Sequence, residues 1–114
     1  MTMPLPTEDI EQRIVVQYCD LKGYPRFRVP NETYTKSWAQ KAKNKALGVS
    51  PGVPDLFVVV GNRLIAIEMK RQKGGTTSPP QRKWLEVLNR AGITARVCKG
   101  ADEAIQFINS VQGG

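Results

Sequence analysis

The chain has 114 residues, among them two cysteines and no histidine, and its 17 Lys and Arg residues against 10 Asp and Glu residues give a net charge of +7. The absence of histidine excludes Ser-His-Asp and Cys-His nucleophiles and, with so few cysteines, leaves no credible zinc site. A chain of this length predicts a single domain, residues 1–114, in which any enzyme must use carboxylates, lysine, hydroxyls or an oxygen-liganded metal.

The first predicted element is a helix over residues 8–22, because Thr7 can cap its start and Gly23 can end it. Its apolar stripe, which we expect to face the core, is formed by Ile10, Ile14, Val15, Tyr18 and Leu21. A short strand is predicted at residues 26–29. The connection over residues 30–51 is predicted to be a basic loop insertion, which could contain a short helix in KSWAQKAKNKAL.

The segment GVPDLFVVVGNRLIAIEMK predicts a hairpin of two apolar strands. A two-residue turn at Gly61-Asn62 would place Asp55 directly opposite Glu68, on the same face of the sheet, with their Cβ atoms roughly 4.5–5.5 Å apart. Lys70, two residues beyond Glu68, points to that face as well.

Two carboxylates that face each other repel and destabilise a sheet, so the repulsion must be offset. Protonation of one acid, a cation between the two, or Lys70 itself could do this. Magnesium suits the pair, because it takes oxygen ligands and is often held by only one or two carboxylates. The structural alternative is an ion pair between Glu68 and Lys70, with Asp55 merely starting its strand.

A second helix begins after the hairpin, where Ser78 can be the cap, Pro79 takes the first helical position and Gln81 completes a capping box. Its core face is expected to consist of Trp84, Leu85 and Leu88. A strand over residues 94–98 and a last helix over residues 101–111 follow. Strands that are continuously apolar usually have helices on both faces of their sheet. We therefore predict a three-layer α/β/α fold with a central mixed sheet, in the order α-β-β-β-α-β-α.

The positive charge is concentrated in the middle of the chain, where the segment from Lys36 to Lys99 holds thirteen Lys and Arg residues and three acidic ones. A region this basic predicts a polyanionic partner, most simply nucleic acid. A basic surface that only confers solubility is the alternative. Two of the three acids are Asp55 and Glu68 of the hairpin, which favours a site that processes nucleic acid.

The motif Pro54-Asp55, followed after a hairpin by Glu68-Met69-Lys70, resembles the PD-(D/E)XK motif of the restriction-endonuclease-like superfamily. Together with SPPQRKWLEVL and AGITARVCKGADEAI, it makes the chain similar to the VRR-NUC family over nearly its whole length. The family occurs as stand-alone proteins in phages and bacteria and within larger DNA-repair enzymes. The resemblance implies a restriction-endonuclease-like fold and an Mg²⁺-dependent endonuclease, with Mn²⁺ expected to substitute.

The resemblance also implies roles for the motif residues. Asp55 and Glu68 would be metal ligands together with the main-chain carbonyl of Met69. Lys70 would orient or activate the attacking water and stabilise charge on the phosphate.

Two further residues could complete the site. The family has an acidic metal ligand in the first helix, which Glu11 fits as a residue of the inward face, while Glu8, one turn earlier, remains open. Gln81 matches a glutamine of the family that reaches toward the site. Its other possible role, the capping box with Ser78, competes with this one.

The cations expected to contact DNA phosphates without reading bases are Lys36, Lys41, Lys43, Lys45, Arg71 and Lys73. A solvated basic helix is the alternative for the four lysines of the loop insertion. The resemblance further implies a homodimer that resolves Holliday junctions or other branched DNA. A non-specific or flap-nicking nuclease, and a non-catalytic nucleic-acid-binding module, are the alternatives.

The sequence predicts a cytoplasmic protein without a membrane partner. No apolar run approaches the roughly 18 residues of a membrane span, and the segment MTMPLPTEDIEQR lacks the features of a secretory signal. Cys19 and Cys98 lie far apart within apolar patterns, which favours two buried, reduced thiols.

Overall fold

The computed structural model describes residues 3–30 and 37–112. Its helices are α1 (Glu8–Lys22), α2 (Trp38–Ala46), α3 (Pro79–Arg90) and α4 (Ala101–Gln112). Its strands are β1 (Arg26–Arg28), β2 (Leu56–Val60), β3 (Arg63–Lys70) and β4 (Thr94–Lys99). The predicted order of elements is confirmed, and α2 is the short helix within the basic connection.

The four strands form one mixed sheet in the order β1-β2-β3-β4. β2 pairs antiparallel with β1 and β3, whereas β3 and β4 are parallel. Val60 pairs with Arg63 and Leu56 with Ile67, so the register predicted from the two-residue turn is confirmed. Gly61 has a φ of 63°, a left-handed conformation that glycine adopts without strain in such a turn.

Helices cover both faces of the sheet. On one face, α1 and α4 pack against alternate residues of β2 and β3, and this larger cluster includes Val15, Leu56, Ile67, Met69 and Ile108. On the other face, Leu85 and Leu88 of α3 pack around Phe57, Ala66 and Ala95. The three-layer α/β/α fold predicted from the apolar strands is therefore confirmed. Cys19 and Cys98 are buried free thiols, as predicted.

The predicted core face of α1 is only partly right. Its buried residues are Glu11, Val15 and Cys19, a narrow line with one residue per turn, whereas three residues of the predicted stripe are exposed, namely Ile10, Ile14 and Leu21. The reason is that α1 contacts β3 on one side and α4 on the other, so only the line between these neighbours is covered.

The two faces of the sheet also decide where the motif residues point. Side chains alternate along a strand, and Ile67 and Met69 are in the cluster beneath α1 and α4. Glu68 and Lys70 therefore point to the opposite face, toward the beginning of α3.

Candidate active site

Asp55 and Glu68 meet at the end of the hairpin that lies opposite the turn. Asp55 immediately precedes β2 and is half-buried, and Glu68 of β3 is only 1% exposed. The two carboxyl groups are so close that Asp55 helps to raise the pKa of the Glu68 carboxyl group. They line a cavity of about 390 Å³ together with Glu8, Gly52 and Gln81.

The environment of Glu68 opposes its ionisation. Burial is the largest cause and, together with the proximity and the negative charge of Asp55, raises the pKa of Glu68 to about 9, whereas Lys70 acts in the opposite direction. Its Oε1 atom is buried and has no hydrogen-bond partner within residues 3–30 and 37–112. A buried acceptor oxygen of this kind is a group that a cation would satisfy.

Lys70 provides the positive charge beside this acid. Its Nζ atom lies 3.7 Å from Oε2 of Glu68, and it donates a hydrogen bond of 3.2 Å to Oε1 of Gln81. The ion pair considered as a structural alternative thus exists, but it coexists with the contact between Asp55 and Glu68. Lys70 is not the only partner of Glu68.

Gln81 makes both of the contacts that the sequence left in competition, one within the capping box and one toward the candidate site. Ser78 and Gln81 form a complete capping box at the start of α3. In it, Oε1 of Gln81 accepts a hydrogen bond of 2.9 Å from the main-chain N–H of Ser78. The same oxygen accepts the bond from Lys70, because a carbonyl oxygen has two lone pairs.

Glu8 lies at the exposed rim of the same cavity, in the first turn of α1. Partial burial and then the negative charge of Asp55 raise the pKa of its carboxyl group, while Lys70 and Arg71 oppose the shift. Glu8 is thus within electrostatic reach of the hairpin residues.

Glu11, the acid of the first helix that the sequence favours as a metal ligand, does not line the cavity of Asp55 and Glu68. It is buried, and its Oε2 atom accepts a hydrogen bond of 2.9 Å from the main-chain N–H of Ala101 at the start of α4. Gln72 contacts both carboxylate oxygens at 3.5 Å. A Cβ atom on Gly100 would lie 2.5 Å from Oε2, so Glu11 fits closely against this turn. Glu11 therefore faces inward, as predicted, but its carboxylate contacts the start of α4 and not the cavity.

The donor groups at the hairpin fit a small divalent cation. Within the described ranges, no cluster of three or more His, Cys, Asp and Glu side chains is arranged to hold a metal ion. Mg²⁺ does not need such a cluster, because it commonly uses one or two carboxylates and retains waters. Asp55 and Glu68 could supply two carboxylates. The side chain of Met69 is buried on the other face, so only its main-chain carbonyl could serve this site.

The predicted DNA-contacting cations fall into two groups. Lys41, Lys43 and Lys45 are on α2, which has no buried residue. Arg71 and Lys73 follow β3 directly and line a second cavity of about 490 Å³, together with Glu8 and Lys70. Lys36 lies outside the residues that the structure describes.

A three-layer mixed-sheet domain with Pro54-Asp55 and Glu68-Met69-Lys70 at one end of its central hairpin has the features of a PD-(D/E)XK nuclease. The VRR-NUC domain family matches residues 9–102 of the chain. A solved structure, described as a VRR_NUC domain protein, superimposes with a TM-score of 0.77 at 28% sequence identity, and the match covers 95% of this chain and 89% of that chain. No curated protein matches significantly.

The chain belongs to the VRR-NUC domain family. It is a family of nucleases of the PD-(D/E)XK type, which act on DNA and typically use a divalent metal. Within residues 3–30 and 37–112, no helix has both the length and the apolar character needed to cross a membrane.

Proposed function

We propose that the protein is an Mg²⁺-dependent, structure-specific DNA endonuclease, in which Mn²⁺ can replace Mg²⁺. The observation that carries this proposal is the contact between the carboxyl groups of Asp55 and Glu68, with Lys70 beside them, at the wall of an open cavity. Membership in a nuclease family supports the reaction class.

The proposed metal ligands are Asp55, Glu68 and the main-chain carbonyl of Met69, with Glu8 in place of Glu11 as the acid from the first helix. When bound, the ion would polarise the phosphate and lower the pKa of a coordinated water. Glu68 must lose its proton to act as a ligand, so metal binding would release a proton.

Lys70 is proposed to hold the attacking water and to offset negative charge that develops on the phosphate. Its hydrogen bond to Gln81 restricts the position of the ammonium group, since the capping box with Ser78 fixes the Gln81 side chain. Charge stabilisation of this kind is effective only when the charged group is held in place beforehand. Gln81 is thus a positioning residue for Lys70.

We propose that Lys41, Lys43, Lys45, Arg71 and Lys73 bind DNA phosphates, together with Lys36. The acid-free helix α2 and the pair of cations after β3 support this, because they lie on surfaces that a nucleic acid can reach. Contacts of this type give affinity that falls with salt concentration and carry little sequence preference.

The preferred substrate is proposed to be branched DNA such as a Holliday junction, cut by a homodimer. One active site cleaves one strand, so symmetrical cleavage of two strands requires two sites related by a twofold axis. This part of the proposal rests on the resemblance to stand-alone members of the family.

The test is to incubate the protein with Mg²⁺ and, in parallel, duplex, flap, splayed-arm and four-way-junction DNA. The matched control is Asp55→Asn, which keeps the side-chain volume but removes the charge. The proposal predicts preferential cleavage of a branched substrate and its loss in the variant, with DNA binding retained. Equal cleavage of all four substrates would indicate a non-specific nuclease, and binding without cleavage by the unaltered protein would indicate a non-catalytic module.

A further inference from the structure

Another cavity, which we call the apolar cavity, adjoins the candidate active site. It has a volume of about 580 Å³ and is lined by Lys83 and by largely apolar groups, among them Pro51, Pro79, Pro80, Trp84 and Val87. The helix places Trp84 here because Leu85 and Leu88 occupy the face that packs on the sheet. The indole ring is half-buried, so it forms part of the cavity wall and also faces the solvent.

The apolar cavity and the cavity of the candidate active site share a wall. Pro51 and Pro80 line both of them. At this wall the loop before Asp55 approaches the first turn of α3 so closely that a Cβ atom on Gly52 would lie 2.5 Å from the carbonyl carbon of Pro80. Gly52 also has a φ of 88°, which side chains other than glycine rarely adopt. The ridge between the cavities is therefore fixed by main-chain contact.

Positive charge lies next to the apolar cavity. Ser50 and Pro51 also line a further cavity, to which Lys41 and Lys45 of α2 contribute. A strand that leaves the candidate active site over the ridge at Pro51 would thus have both the indole ring beside Lys83 and the lysines of α2 within reach. A single DNA strand carries groups that match both surfaces. Its bases can stack on the indole ring, and its phosphates can contact the lysines.

We propose that the apolar cavity binds an unpaired nucleobase of the DNA strand next to the scissile phosphate, stacked against Trp84. The inference rests on the proposed function, in that DNA is taken as the substrate. Stacking on an aromatic ring is tolerant of sequence, because every base has a π face. A base that is paired within a duplex is already stacked on its neighbours, so its face is not available to Trp84. The cavity would therefore favour DNA with an unpaired nucleotide beside the cleavage point over continuous duplex.

The test uses tryptophan fluorescence without metal, so that cleavage does not contribute. The chain has two tryptophans, and Trp38→Phe leaves Trp84 as the only one. Oligothymidylate and an abasic sugar–phosphate oligomer of the same length are titrated in parallel. Stacking predicts quenching by oligothymidylate and markedly less by the abasic oligomer. Equal quenching by both ligands, or none by either, would overturn the proposal.

Substitutions provide the second measurement. Trp84→Ala should weaken binding of oligothymidylate by about tenfold or more, the usual effect of losing one stacked base, whereas Trp84→Phe should retain most of the affinity. Leu21→Ala, at an exposed apolar residue of α1, is the control for loss of an apolar side chain. If Trp84→Ala does not fold, the proposal is still tested by the quenching with the two oligomers and by the affinity of Trp84→Phe for oligothymidylate. A fluorescence change that depends on protein concentration without DNA would show that a second copy occupies the cavity, against the proposal.

The failure of this inference can be distinguished from the failure of the proposed function. Metal-dependent cleavage that persists without base-dependent quenching contradicts the base-binding cavity alone. Base-dependent quenching in a protein that cleaves no substrate supports the cavity and contradicts the nuclease assignment.

Discussion

Lys70 and Gln81 are joined by a hydrogen bond of 3.2 Å from the ammonium group to Oε1, an oxygen that at the same time completes the capping box of α3. The start of α3 and the end of β3 are thereby fixed to each other at the edge of the cavity. A helix cap, which ordinarily serves stability alone, here also determines the position of the cation beside Glu68.

Gln81→Leu and Ser78→Ala should therefore separate stability from catalysis. Each variant loses half of the capping box and should lower the free energy of unfolding by about 1 kcal/mol. Only Gln81→Leu removes the partner of Lys70, so its kcat should fall well below that of Ser78→Ala. Urea unfolding and single-turnover cleavage measure the two effects. Equal losses of kcat would mean that the capping box acts through stability only.

Glu8 and Glu11, one turn apart on α1, should respond in opposite ways to removal of their charge. Glu11→Ala leaves the N–H of Ala101 without its buried acceptor and should cost about 1–3 kcal/mol of stability. Glu8→Gln should change stability by less than about 1 kcal/mol but weaken binding of Mn²⁺. Thermal unfolding with and without the metal distinguishes them. A strong loss of metal affinity in a folded Glu11→Gln variant would restore Glu11 as the ligand.

The raised pKa of Glu68 makes the stability of the metal-free protein depend on pH. Between its ordinary pKa of 4.5 and its folded value of about 9, the folded state holds a proton that the unfolded state releases. The unfolded state therefore binds fewer protons, and the free energy of unfolding should fall as the pH rises through this window. Glu68→Gln should remove this contribution and raise the melting temperature at pH 7 by at least about 4 °C. Glu86→Gln, at an exposed ion pair with Arg90, is the control. An unchanged pH profile in Glu68→Gln would contradict the shift.

The lysines of α2 should be visible in the salt dependence of DNA binding. Replacing Lys41, Lys43 and Lys45 together with glutamine should reduce the slope of log K against log salt by as much as about 3. Affinity should fall similarly for different sequences, since phosphate contacts carry no base information. Arg63→Gln, at the hairpin turn and thus at the end opposite the candidate site, is the matched control. An unchanged slope in the triple variant would exclude α2 from the DNA surface.

The hairpin site could be predicted from the sequence because strands leave little freedom. The two-residue turn fixes the register, the alternation of side chains fixes the face, and together they bring Asp55 to Glu68. Capping residues similarly determined where α1 and α3 begin. These are local rules, and the structure obeys them.

Helix faces were harder to predict, because the neighbouring elements decide how much of each face is covered. Trp84 and Leu85 are both expected on the core face of α3, but adjacent residues of a helix point in different directions. Of these two, only Leu85 packs on the sheet. Glu11 was assigned to the metal because it faces inward, yet it binds the N-terminus of α4. One signal was available: Gly100, which precedes α4, has no side chain that could cap that helix, which favours an acceptor from elsewhere in the fold or from water.

The most direct test of the metal site is an anomalous difference map from crystals soaked in Mn²⁺, compared with crystals of Asp55→Asn treated in the same way. We expect a peak within coordination distance of both Asp55 and Glu68, which is absent or much weaker in the variant. A well-ordered site without such a peak, or a peak bound by Glu11 instead, would contradict it.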